Sequence, residues 1–129
     1  MTDAEIFLKV KIHLLTQGRR ATRLGDKQNE TLCAYREPLD DGTVRSCAVG
    51  CLIPATEYRP SFEGQSATSD PILDVLSRVV GRKIKRGEPT ATMLYRLQGI
   101  HDDYPPHKWM NELAEMEKRF YANGEYNGW

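Results

Sequence analysis

Thr31-Leu32-Cys33-Ala34-Tyr35-Arg36 and Thr43-Val44-Arg45-Ser46-Cys47-Ala48-Val49, separated by Asp40-Asp41-Gly42, decide the fold class. Two runs rich in Thr, Val, Cys and Tyr flank a turn signal, the pattern of a β-hairpin. Asp-Gly supplies the positive φ angles that a tight turn needs. The second strand is predicted to run on through Gly50 to Ile53 and to stop at Pro54, because proline has no N–H for a ladder.

On either side of the hairpin the periodicity is helical. Thr2 followed by Glu5 is a capping box, and Ile6, Val10 and Leu14 recur on one helical face. Leu8, Val10, Ile12 and Leu14 also alternate as a strand would. The cap, the length and the terminating Gly18 favour a helix from about Thr2 to Gln17. Arg19 to Thr31 reads as a polar connection, and Ala55 to Asp70, rich in Pro, Gly, Ser and Thr, as a loop.

Asp70-Pro71 begins a second helix that buries Ile72, Val75, Leu76, Val79 and Val80 and ends at Gly81. A third starts near Pro89-Thr90 and carries Met93, Leu94, Leu97, Ile100 and His101 on its inner face. A fourth starts at Pro105-Pro106, buries Trp109, Leu113, Met116 and Phe120, and stops at Asn123-Gly124. The expected architecture is α+β, about four helices packed on a small antiparallel hairpin or sheet. Residues 1–129 read as a single compact domain with a short tail at 125–129.

Composition narrows the function classes. A hydrophobic fraction of 40% with 28% charged residues is that of a globular chain. The 18 basic and 18 acidic residues cancel, which disfavours a nucleic-acid partner. No apolar run approaches the roughly 20 residues that span a bilayer, so no membrane partner is expected. The acidic Met1-Thr2-Asp3-Ala4-Glu5 is not a secretory signal, and three cysteines, an odd number, read as reduced thiols. The expected location is cytoplasmic.

Cys33, Cys47 and Cys51 are placed on the two strands, with Cys47 and Cys51 on one face. With His101 or His107 they number enough for a zinc site, but the spacing lacks two close pairs of ligands. Cys47 or Cys51 with His101 as base would make a small hydrolase. Apolar strand surroundings, however, raise a thiol pKa and leave it inert. His101-Asp102 has the look of a metal-binding pair without the further histidines such chemistry needs. No catalytic or metal residue, and no cofactor, is assigned. No Walker loop, dinucleotide fingerprint or serine elbow is present.

Two basic groups remain: Arg19, Arg20 and Arg23, and the loop of Arg82, Lys83, Lys85 and Arg86. Converging arginines grip phosphate through forked, charge-assisted bonds, so these are the candidate residues for a small anionic nucleotide ligand. A solvated basic turn, complementing the dipole of the helix that ends at Gly81, is the plainer reading. Tyr126 and Trp129 in the tail either fold back onto the core or contact a partner.

The strings Cys33-Ala34-Tyr35-Arg36, Cys47-Ala48-Val49-Gly50-Cys51-Leu52-Ile53-Pro54, Tyr58-Arg59-Pro60 and Phe62-Glu63-Gly64 resemble a family of small uncharacterised proteins. These occur in tailed phages and in bacteria carrying prophages. The resemblance extends to Leu97-Gln98-Gly99-Ile100-His101-Asp102 and the Trp109 helix, and so covers most of the chain. It brings no established activity and no catalytic residues. It implies a phage or prophage origin and hence the host cytoplasm. It also implies an accessory protein that binds and blocks or sequesters a host component, either a defence protein or a nucleotide-derived immune signal.

The resulting expectation is a binding protein rather than an enzyme, with self-association left open. A cysteine- or metal-dependent hydrolase and a nucleic-acid-associated accessory protein are the alternatives.

Overall fold

Thr2 and Glu5 set the first helix. The Thr2 hydroxyl accepts the Glu5 N–H and the Glu5 carboxylate accepts the Thr2 N–H, closing the capping box. In this computed structural model, which describes residues 1–25, 27, 30–121 and 123–127, the helix α1 spans Asp3–Gln17. Gly18 ends it in the left-handed conformation, φ 64°, which a side chain would resist. The helical reading is therefore the right one, and the alternating strand pattern is not used.

The described residues form four α-helices and two small antiparallel sheets, an α+β fold. Strands β1 (Thr22–Leu24) and β2 (Thr31–Cys33) make one sheet; β3 (Arg36–Pro38) and β4 (Val44–Ser46) make the other. The hairpin turn forms as expected, with Leu39 N–H donating to the Thr43 carbonyl and Gly42 at φ 87°. Two boundaries differ from expectation. The run Thr31 to Arg36 is split between sheets, and the connection from Arg19 to Thr31 contains β1. The Ala34 N–H bonds to the Ala21 carbonyl, and the Thr22 N–H to the Glu37 carboxylate, so long-range partners break the run.

The second strand also does not run on to Ile53. From Cys47 the chain turns into a single 3₁₀ turn, Gly50–Leu52. Cys51 N–H donates to the Cys47 carbonyl, Leu52 to Val49 and Ile53 to Gly50. Gly50 makes this possible, because a Cβ there would collide with the backbone carbonyl of Tyr35. Cys47 and Cys51 are thus one helical turn apart, not alternate residues of a strand.

Helix α2 (Asp70–Val80) buries Ile72, Leu73, Val75, Leu76 and Val80 and is capped by Gly81 at φ 87°. Helix α3 (Pro89–Asp103) buries Met93, Leu94, Leu97, Ile100 and His101. Pro106–Lys108 form a 3₁₀ turn before α4 (Trp109–Glu117). The last helix is shorter than its pattern suggests. Trp109, Leu113 and Met116 are buried on it, whereas Phe120 lies beyond it and pairs with Tyr126 as an isolated bridge.

α1, α3 and α4 pack on one another, and the 3₁₀ turn at Gly50–Leu52 closes against α1. Trp109 sits at the centre, stacked on the His101 ring at 5.5 Å, its indole N–H bonded to the Tyr104 carbonyl at 3.0 Å. No helix among the described residues is long and apolar enough to cross a membrane.

Candidate functional site

α3 carries Tyr95, Gln98, Asp102 and Asp103 along one side, at the three- and four-residue spacings that share a helical face. This side forms one wall of an open cleft of about 610 Å³. Cys33 and the backbone at Ala34 and Tyr35 form the opposite wall, and Gly64 to Ala67 complete it. Glu63 fixes that last segment. Its carboxylate accepts the N–H groups of Tyr35 and Arg36 and the Tyr58 hydroxyl at 2.7–3.2 Å.

In the walls of the cleft Cys33 and Asp102, with the buried His101 behind them, place a sulfur, a carboxylate oxygen and a ring nitrogen within 4.8 Å of one another. The hydrogen bonds dictate what this trio can do. The Ala21 N–H donates to His101 Nε2 at 3.0 Å, so that nitrogen presents its lone pair and the ring proton sits on Nδ1. Nδ1–H then donates to Asp102 Oδ1 at 2.7 Å. Asp102 Oδ1 also accepts from Gln98 Nε2 at 2.9 Å, and Gln98 Oε1 accepts the Val49 N–H at 3.0 Å. Neither ring nitrogen is left to take a proton from a nucleophile.

The same bonds bear on a metal. Coordination through Nδ1 would drive the ring proton to Nε2, directly against the Ala21 N–H donor. The trio therefore fits a hydrogen-bonded structural cluster better than a zinc or iron site. Its thiol is equally quiet: burial, then the neighbouring Asp102 carboxylate, push Cys33 up to about 12.

Cys33, rather than Cys47 or Cys51, is the cysteine that the fold brings to His101. Cys47 is fully buried, with its sulfur accepting the Gly50 N–H, and burial pushes its thiol far up. Cys51 donates to the Ala48 carbonyl at 3.0 Å, and burial pushes it up to about 12. No local signal in the sequence joins Cys33 to His101, because the link is made by the packing of β2 against α3.

The two basic groups do not converge. Arg20 donates to the carbonyls of His101 (3.0 Å) and Tyr104 (2.7 Å), satisfying the C-terminal end of α3. Arg82 donates to Asp3 and to the Thr90 hydroxyl, both at 2.9 Å, in the first turn of α3. Thr90 and His101 are about 16 Å apart along the helix axis at 1.5 Å per residue. Arg86 donates to the Asp70 carboxylate at 2.8 Å and to the Thr68 carbonyl at 3.2 Å.

Of the remaining candidates, Arg23 lines the cleft with its Nε 3.9 Å from Glu63. Arg19 is exposed beside the β3–β4 hairpin, and Lys83 and Lys85 are exposed on either side of the buried Ile84. Tyr126 folds back onto the core. It is buried against Phe120, and its N–H donates to Asp3 Oδ2 at 2.8 Å. Trp129 lies outside the described residues.

No family model, no curated protein and no solved structure matches the chain.

Proposed function

We infer that the protein is a non-enzymatic binding protein of phage type, which occupies and blocks a host protein, a defence component, in the host cytoplasm. One observation carries the choice of binding over catalysis: both nitrogens of His101 are committed, one to the Ala21 N–H and one to Asp102. The resemblance to phage and prophage proteins supports the host-directed part. The cleft suits a protruding basic side chain of the target. Asp102 and Asp103 supply charge, and the exposed Tyr95 ring supplies an aromatic face for a cation. A small anionic nucleotide would have to rely on Arg19, Arg23, Lys83 and Lys85, since Arg20, Arg82 and Arg86 serve the fold.

The test is affinity capture from host lysate with native mass spectrometry of the eluate, using wild type, Cys33→Ser and Asp103→Arg. Cys33→Ser should retain the captured partner and the effect on the host. Asp103→Arg should lose both at unchanged melting temperature. Loss of the host effect in a well-folded Cys33→Ser variant would overturn the reading in favour of a thiol-dependent enzyme.

A further inference from the structure

Arg23 leaves a buried donor unsatisfied in the wall of the cleft. Its Nε is buried and has no hydrogen-bond partner among the described residues. Glu63 Oε1 is 3.9 Å away, too far for a hydrogen bond. The Glu63 carboxylate is already engaged by the Tyr35 and Arg36 N–H groups and the Tyr58 hydroxyl. A Cβ on Gly64 would lie 3.3 Å from Arg23 Nη2, so the guanidinium sits beside Gly64, on the wall that faces α3. A buried donor without an acceptor costs stability, and a guanidinium fork fits a carboxylate or a phosphate.

The α3 wall decides between those two anions. Asp102 and Asp103 line it beside Tyr95, and two carboxylates repel a doubly charged phosphate. An occupant that suits both walls carries both signs: one carboxylate for Arg23, and one cation for Asp103 and the Tyr95 ring. Gly99 adds a passage. It lies inside α3, where glycine is the weaker helix former, yet a Cβ there would meet only Asp103 Oδ2 at an ordinary 3.6 Å. The protein's own packing does not require glycine at this position. Tyr95, Gly99 and Asp103 recur every four residues and border two cavities at once, this cleft and a second groove of about 430 Å³ between α3 and α4. Gly99 is the low point of the ridge between them. In the second groove Asp103, Glu112 and Glu115 outnumber Arg96.

We propose that the segment taken by this cleft is the carboxy-terminal tail of the partner protein, an inference that rests on reading the cleft as the seat of a basic side chain. The tail enters along the acidic groove and crosses α3 over Gly99. It sets a lysine or arginine near its end against Asp103 and Tyr95, and places its terminal carboxylate on Arg23. A free basic amino acid carries the same two charges but has no chain to lie over Gly99 or in the second groove.

The test is selection by the folded protein from a pool of random octapeptides with free carboxyl ends, and from the same pool amidated, the retained peptides being sequenced by mass spectrometry. Lysine or arginine should be enriched about tenfold near the end of the free-carboxyl peptides, and not in the amidated pool. A retained peptide should bind Arg23→Gln and Gly99→Leu about tenfold more weakly or worse by fluorescence anisotropy. Leucine is a better helix former than glycine, so Gly99→Leu should melt no lower than wild type, which separates a blocked passage from unfolding. Free arginine at the peptide's concentration should not displace it. Equal enrichment in the two pools, undiminished affinity in either variant, or displacement by free arginine would each overturn the tail. If Asp103→Arg still loses the host protein in any of those cases, the basic side chain of the target stands and only its position at a chain end falls.

Discussion

Replacing Asp3 by Ala removes an acceptor that ties four separate parts of the chain together. The Asp3 carboxylate is 4% exposed. Its Oδ1 accepts from Arg82 at 2.9 Å and from the Thr90 hydroxyl at 2.6 Å, and its Oδ2 accepts from the Tyr126 N–H at 2.8 Å. The Arg82 side chain is 43% exposed, so water takes over most of its loss and its share is under about 1 kcal/mol. The Tyr126 N–H and the Thr90 O–H are buried donors, and leaving each without an acceptor costs about 1–3 kcal/mol, less for Thr90, whose oxygen still accepts from Arg82.

The expected loss for Asp3→Ala is about 3–5 kcal/mol, the range for removing one member of a buried charged network. That is a large part of a typical stability of about 5–15 kcal/mol, and corresponds to a fall in melting temperature of about 10–20 °C. Asp3→Asn should cost about 2 kcal/mol or more, because its NH₂ must face either the Tyr126 N–H or the Arg82 guanidinium. Arg82→Ala should cost about 1–3 kcal/mol, because it leaves the buried Asp3 carboxylate without its cation while the Thr90 hydroxyl and Tyr126 N–H still donate to it. Urea unfolding followed by circular dichroism measures all three. A loss below about 1 kcal/mol for Asp3→Ala would refute the assignment of this carboxylate as the clasp between the first helix and the tail.

Three other perturbations have defined outcomes. Trp109→Ala, at a fully buried ring stacked on His101, should cost about 3–5 kcal/mol in the same urea experiment. Native protein should react with a thiol reagent at neutral pH far more slowly than unfolded protein. A thiol at about 12, as for Cys33 and Cys51, is thiolate at roughly one part in 100,000 at pH 7. His13 is shifted below its ordinary value of 6.5, chiefly by burial, against the opposing bond to the Ser46 carbonyl. The unfolded chain then binds this proton more readily, so stability is complete above about pH 6.5 and declines as pH falls toward the lower folded value. His13→Gln should flatten that slope between about pH 7 and 5 in unfolding curves taken at stepped pH.

Elements whose cause is local were legible in the chain itself. The capping box at Thr2 and Glu5, the glycine stops at Gly18 and Gly81, the Asp-Gly turn and the buried faces of α2 and α3 each depend on residues within a few positions of one another. Elements that depend on distant partners were misread. The run Cys47 to Ile53 has strand-forming composition, yet Gly50 is pressed against the Tyr35 carbonyl and the backbone closes into helical turns instead. α4 ends at Glu117 because Phe120 is drawn to Tyr126, a contact no periodicity records.

The site divides along the same line. His101 and Asp102 stand out in the sequence as neighbours, and an apolar setting for the cysteines was apparent from their company. Which cysteine meets the histidine, and that both imidazole nitrogens are already occupied, follow only from β2 and Ala21 packing on α3. The basic residues show the opposite case. Their clustering in sequence is real, but side chains of that length reach whichever carboxylate or carbonyl the fold sets nearby, and folding sent Arg20 and Arg82 to opposite ends of α3. Sequence by itself determined which segments would form helices and turns, because those preferences are set by backbone sterics and nearby caps. Only the tertiary structure decided which polar groups meet, because a hydrogen bond needs its partners within about 3 Å and the chain order carries no such distance.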